Sequence, residues 1–193
     1  MIDREPDDPM IILIGGTAGC GKTTLANRLL GHFDLDHRLG TGFIRAVVQS
    51  QTDPHIEPWL FVPSYQSSDP IGHLRTQSRR LFPAVSSCIE RARTDGTSLV
   101  IEGTHLIPEL FEDFGARTIV LTAPDIDVHR QRLVGQRHTR RLIGTADLDH
   151  IREIGRFYES EAGRLGIPAL RYEGNFDDAV RALGLALPAE RSD

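Results

Sequence analysis

Ile11-Ile12-Leu13-Ile14-Gly15-Gly16-Thr17-Ala18-Gly19-Cys20-Gly21-Lys22-Thr23-Thr24 decides the fold: an apolar run, a glycine-rich turn and the start of a helix. Gly16, Gly21, Lys22 and Thr23 fill the pattern G-x-x-x-x-G-K-[ST] of a phosphate-binding loop, in the strand-to-helix setting that pattern requires. Successive backbone N–H groups converge on phosphate oxygens only where Cβ atoms do not crowd the turn. Gly16, Gly19 and Gly21 are therefore expected to line it, with Cys20 and Thr24 counted among the phosphate-binding positions. The helix beginning near Lys22 adds unpaired N–H groups and the positive end of its dipole. Lys22 is expected to reach the β- and γ-phosphates, and the Thr23 hydroxyl to ligate Mg²⁺. Among 22 lysines and arginines Lys22 is the only lysine, an ammonium kept where a planar guanidinium would change the geometry.

A chain of 193 residues is long enough for one well-buried domain and short for two. No apolar run approaches a membrane span, and Met1 to Pro9 is polar and acidic, unlike a secretory signal, so a cytoplasmic protein with a loose lead-in over residues 1–9 is expected. The net charge of −5 argues against a nucleic-acid scaffold. Cys20 and Cys88 fit no metal spacing, and no disulfide is expected. Cys20 is either an acidified thiol at a helix start or a filler of the loop.

Downstream, short apolar runs alternate with helical patterns. Strands are expected at His37 to Thr41, Ser98 to Ile101, Thr118 to Leu121 and Ala169 to Tyr172. Helices are expected from Leu25 to Gly31, from Phe43 with Ile44, Val47 and Val48 inward, from Ile71 to Arg93 with a kink at Pro83, from Asp125 to about Gln136, from Leu148 to Arg164 and from Phe176 to Leu183. Such alternation gives an α/β fold, a parallel sheet with helices on both faces. Its ligands collect at the carboxyl ends of the strands, so the loops after Ile14, Ile101 and Leu121 should share one cleft. The proline-rich stretch 50–70 carries Trp59, Phe61 and Tyr65, which either pack on a substrate or anchor the loop.

Glu102 ends an apolar strand where a P-loop protein places an acid near Mg²⁺. His105 either binds an anionic substrate or caps a turn. Five arginines crowd the stretch from Val128 to Arg141, the composition of a lid that closes over phosphates and neutralises charge on the transferring group. Two rival nucleotide users are set aside: with a single lysine no Asn-Lys-x-Asp guanine-reading segment exists, and an AAA-type motor would need a second helical domain and more length.

With these residues in hand, the chain resembles the P-loop small-molecule kinases, and among them most closely the 2-phosphoglycerate kinase group. The similar stretches are Leu13 to Thr24, Ile44-Arg45, Ser98-Leu99-Val100-Ile101-Glu102-Gly103-Thr104-His105-Leu106-Ile107-Pro108, and His129-Arg130 with Arg132 and Arg137. The resemblance implies a P-loop NTPase fold, nucleoside- and nucleotide-kinase-like, as one domain over residues 10–188 with a substrate-binding insertion at about 43–94, an arginine-rich lid at about 129–147 and a tail at 189–193. It implies transfer of the ATP γ-phosphate to a hydroxyl of a small anionic metabolite, with ATP and Mg²⁺ as cofactors. Arg45, His105 and Arg140 would recognise the acceptor, Arg130 and Arg137 would act on the phosphates beside Lys22 and Glu102, Thr23 and Glu102 would hold the metal, and Asn175 would touch adenine. One departure stands out: where such kinases carry an acid ahead of the arginine, this chain has Gly42. Glu102, Asp34 or Asp36 is left to supply that carboxylate. A larger acceptor, such as a nucleoside, nucleotide or biosynthetic intermediate, and a nucleotide-dependent switch protein are the alternatives.

Overall fold

Five short strands, β1 (Ile11–Gly16), β2 (His37–Gly40), β3 (Leu99–Glu102), β4 (Arg117–Leu121) and β5 (Ala169–Leu170), form one sheet in the order β2-β3-β1-β4-β5. Every pairing is parallel in this computed structural model, which describes residues 9–112, 114–134 and 144–186. Side chains alternate across a strand, so β1 feeds two cores. Ile12 and Ile14 pack with α1 (Lys22–His32) and α6 (Phe176–Ala182), whereas Ile11 and Leu13 meet α2 (Thr41–Ser50) and α3 (Pro70–Asp95) on the opposite face. There α5 (Thr145–Leu165) joins them through Ile154, Tyr158 and Ala162, packed with Val120 and Leu74. The two faces are thus covered, as a parallel sheet requires.

The register brings the strand ends level. Ile14 of β1 and Gly40 of β2 both stand opposite Glu102 of β3. Three chain segments therefore leave the sheet at one height: the glycine loop, the start of α2 and the segment from Gly103 to His105.

Several boundaries differ from expectation for local reasons. Helix α1 runs through Gly31, where an added Cβ would meet nothing within 4 Å, to His32. Helix α2 starts at Thr41, directly after β2, and turns Val47 outward at 59% exposure while Ile44 and Val48 are buried. Helix α3 continues through Pro83 to Asp95, where Gly96 takes a left-handed conformation and caps it. Residues 51–69 contain two single turns of 3₁₀ helix, Pro58–Leu60 and Ser64–Gln66. Trp59 packs beside Val48, Leu60 and Leu81 and so anchors the segment, Phe61 is exposed, and Tyr65 lies against α5. Helix α4 (Ile126–Val134) is described to Val134. Residues 135–143 of the expected lid, with Arg137 and Arg140, lie outside the described residues, as do most of the lead-in and all of the tail, whereas its last residues, 144–147, belong to the start of α5.

Candidate active site

The glycine loop is shaped by two close approaches. Gly16 and Gly19 have positive φ, and a Cβ on Gly16 would collide with the Leu121 carbonyl oxygen while one on Gly19 would stand 3.0 Å from the His129 ring. Beneath the loop Cys20 is fully buried, its thiol donating to the Thr17 carbonyl at 3.0 Å, and its side chain belongs to the core under α1. It is a filler with a weak hydrogen bond. Lys22 is 8% exposed and folds across the loop, Nζ donating to the same Thr17 carbonyl and lying 3.6 Å from Cys20 Sγ. Gly19, Gly21, Lys22, Thr23 and Thr24 line a cleft of about 1530 Å³, whereas Gly16 and Cys20 sit below its surface.

Glu102 meets the loop at its far side. Its Oε1 accepts from the Thr23 hydroxyl at 3.0 Å and from Arg38 Nη1 at 3.2 Å. Only 8% exposed, Glu102 turns into the cleft and away from bulk solvent. A hydroxyl and a carboxylate in contact fit Mg²⁺, a hard cation that takes one or two protein oxygens and fills its remaining positions with phosphate and water. Among the described residues no group of three or more His, Cys, Asp or Glu side chains is placed to hold a metal ion.

The half of the cleft where the acceptor was expected is walled by α2, by residues 63–66 and by His105. Arg45 and Gly42 line it on α2. An added Cβ at Gly42 would meet nothing within 4 Å, so the place of the missing acid is open space. Asp36 does not fill it: its carboxylate accepts from the Ser98 amide and hydroxyl at the amino ends of β2 and β3, opposite the cleft, and those bonds hold its pKa below the ordinary value. Asp34 precedes it in the same turn and does not line the cleft. Glu102 and Glu173 are the carboxylates on the cleft wall among the described residues.

His105 is buried, and its pKa is pushed down to about 3, first by burial and then by the charges of Arg45, Lys22 and His73. The imidazole is neutral at physiological pH and supplies no positive charge to an anion. Both nitrogens are engaged, Nδ1 with the Thr41 hydroxyl at 3.2 Å and Nε2 with Gln77 Oε1 at 3.1 Å. Thr41 opens the run Thr41-Gly42-Phe43-Ile44-Arg45, whereas Gln77 belongs to no motif and shows in the sequence only as an isolated polar residue in an apolar helical stripe.

On the lid side the structure exchanges one arginine for another. Arg130 points outward and pairs with Asp127 at 3.2 Å, one turn back on α4, whereas Arg132 lines the cleft and donates to the Tyr172 carbonyl at 3.4 Å. Helical spacing explains this: residues two apart lie on different faces. His129 is buried, and its Nε2 meets the Ala18 carbonyl of the glycine loop at 2.7 Å. At the expected base end, Asn175 donates its side-chain amide to the Asp178 carboxylate and does not line the cleft, while Glu173 and Gly174 do. Arg28 holds that segment through the Gly174 carbonyl at 2.6 Å and the Tyr172 hydroxyl at 3.1 Å. The loop after Leu121 likewise stays off the cleft wall, so two of the three expected strand-end loops share it.

A glycine loop between β1 and α1, with an acid at the end of a neighbouring parallel strand touching the loop threonine, defines a P-loop domain. A family model described as "AAA domain" matches residues 12–153, and the chain belongs to that family. Curated relatives named 2-phosphoglycerate kinase include those of Methanothermobacter thermautotrophicus, 27% identical over 86% of this chain and 62% of the relative, and Methanocaldococcus jannaschii, 28% identical over 84% and 58%. The chain thus spans about three fifths of the length of these relatives. Among solved structures, shikimate kinase from Acinetobacter baumannii in complex with shikimate superposes with a TM-score of 0.54 at 16% identity, covering 91% of this chain and 90% of that one. The fold is that of P-loop kinases, and the sequence is similar to members of the 2-phosphoglycerate kinase group.

Proposed function

We propose that this protein is an ATP- and Mg²⁺-dependent kinase that transfers the γ-phosphate to a hydroxyl of a small anionic metabolite, with 2-phosphoglycerate the first acceptor to try and the cytoplasm its setting. The observation that carries the reading is the 3.0 Å contact of Thr23 with Glu102, beside the buried Lys22. In this reading the loop amides and Lys22 hold the terminal phosphates, and Thr23 and Glu102 supply oxygens to Mg²⁺. The metal, when bound, offsets charge on the β- and γ-phosphate oxygens. Glu102, the carboxylate nearest the start of α2, stands in for the acid absent at Gly42 and takes the acceptor's hydroxyl proton. Arg45 binds the acceptor's anionic group, and Arg132, with Arg137 and Arg140 of the lid, approaches the transferring group. His105 shapes the wall and carries no charge.

A cleft of about 1530 Å³ exceeds the roughly 300–1,000 Å³ of a pocket for one ligand, which favours a site for two substrates over a binding module for one. The open space at Gly42 favours, as a second reading, an acceptor bulkier than a three-carbon acid. Incubation with Mg·ATP and panels of hydroxy acids, phospho-acids, sugars and nucleosides separates these readings by acceptor-dependent ADP release. Lys22→Ala is expected to abolish turnover with the fold intact by circular dichroism; full activity in that variant overturns the proposal, and a rate indifferent to every acceptor points to a switch protein.

A further inference from the structure

We propose that Gln77 of α3 is the positioning residue of the acceptor half of the cleft, joining its three walls through one buried amide. Gln77 is fully buried, where an amide is tolerated only if its hydrogen-bonding groups find partners. Its Nε2 donates to the Trp59 carbonyl at 2.8 Å and the Val62 carbonyl at 2.8 Å, the two ends of the turn that delivers residues 63–66 to the cleft. His73 Nε2 lies 3.1 Å from the same amide nitrogen and 2.8 Å from the Trp59 carbonyl. With the amide nitrogen turned to these groups, Oε1 faces His105, and the 3.1 Å contact is His105 Nε2–H donating to it. That fixes the tautomer. Nδ1 is then bare and accepts the Thr41 hydroxyl proton at 3.2 Å.

Thr41 begins α2, and Arg45 follows it by four residues on the same side of the helix, also at the cleft. One amide thus sets the 63–66 segment, the His105 ring and the face of α2 that presents Arg45. Across the cleft Lys22 acts on His105 through its charge, while the hydrogen bonds of Lys22, Thr23 and the Gly174 carbonyl run to Thr17, Glu102 and Arg28. Loss of Gln77 should therefore damage acceptor binding and spare the nucleotide. This inference rests on the kinase reading for its kinetic half only.

The test uses Gln77→Met, which keeps the volume and removes every polar group, and Gln77→Glu, which keeps an acceptor for His105 and turns an oxygen toward the two carbonyls. Each is expected to raise the KM for the acceptor about ten-fold or more, the effect of unpairing a buried hydrogen-bonding group, with Mg·ATP affinity by calorimetry unchanged within about two-fold. A merely structural role would lower the active fraction, and so kcat, leaving the acceptor KM alone; that result, or equal loss toward both substrates, overturns the proposal. ¹⁵N NMR of the wild-type imidazoles supplies a readout without turnover: His105 is expected as the Nε2–H tautomer, and finding Nδ1–H overturns the network whether or not either variant folds. If no acceptor yields ADP, the kinase reading fails by itself. The tautomer, and its loss in Gln77→Met with Mg·ATP binding retained, then decides the positioning claim.

Discussion

His105 shows how far a side chain's surroundings govern what it does. A histidine three residues past an acidic strand end invites assignment as an anion-binding cation, but burial and the neighbouring charges of Arg45, Lys22 and His73 push its pKa down to about 3. The proton balance follows from that direction. The unfolded chain, with an ordinary histidine pKa near 6.5, takes up a proton as pH falls below that value, whereas the folded protein does not until about 3, so stability contributed by this group is intact above about 6.5 and lost progressively below it. At pH 5 the loss is about 2 kcal/mol from this residue alone. His129, buried on the glycine loop with its pKa likewise lowered chiefly by burial, adds in the same sense. Urea midpoints at pH 7.5 and pH 5 measure the difference, and His105→Gln, which retains a donor toward Gln77, is expected to reduce it. An equal pH dependence in that variant would show that His105 titrates normally. The exchange of Arg130 for Arg132 teaches the same lesson at another position: the sequence shows an arginine-rich turn, and only the helical phase shows which arginine faces the cleft.

At the scale of elements, the contact of α2 with the end of β3 is the tightest constraint on the cleft. A Cβ on Gly103 would collide with the Thr41 hydroxyl and stand 2.7 Å from Thr41 Cβ, so rotating the threonine cannot relieve it. Gly103→Ala must therefore part α2 from β3, at a cost of about 1–3 kcal/mol in denaturant unfolding, as for other overpacked sites. On a Thr41→Gly background both contacts vanish and the same change should cost measurably less, a coupling that a double-mutant cycle reads directly. Such pairings mark the boundary of what was legible in the sequence. The strands β1, β3 and β4 carry unbroken apolar runs, Ile11 to Ile14, Leu99 to Ile101 and Ile119 to Leu121, that only a doubly covered sheet can bury, and the glycine loop follows from spacing alone, so the fold, Lys22, Thr23 and Glu102 were within reach. Helix α2 is amphipathic as expected, but its buried stripe is Thr41, Ile44 and Val48, a stripe that begins two residues before Phe43 and leaves Val47 outward. Gln77, Arg38 and the bond of Thr41 to His105 stayed invisible because the partners lie 15 to 64 residues away, joined only when the elements come together.

Across the whole molecule, an acidic chain of net charge −5 gathers Lys22, Arg45 and Arg132 onto the wall of one cleft, the arrangement that draws polyanionic ligands inward. The segments lining that cleft come from the start of α1, the start of α2, the end of β3, α4 and the segment after Tyr172, so a nucleotide held there would tie together elements from both faces of the sheet. Binding to the folded state alone stabilises it by mass action, about 2.7 kcal/mol at a ligand concentration one hundred times the dissociation constant. For a domain of this size that corresponds to a rise in Tm of roughly 5–10 °C. The rise is expected with Mg·ATP, smaller with ATP in excess chelator because Thr23 and Glu102 then lack the cation that joins them to phosphate, and absent in Lys22→Ala. The ordering of those three values carries the weight. A rise unaffected by chelator would remove the metal from the Thr23–Glu102 pair, and a rise retained in Lys22→Ala would place the nucleotide somewhere other than the glycine loop.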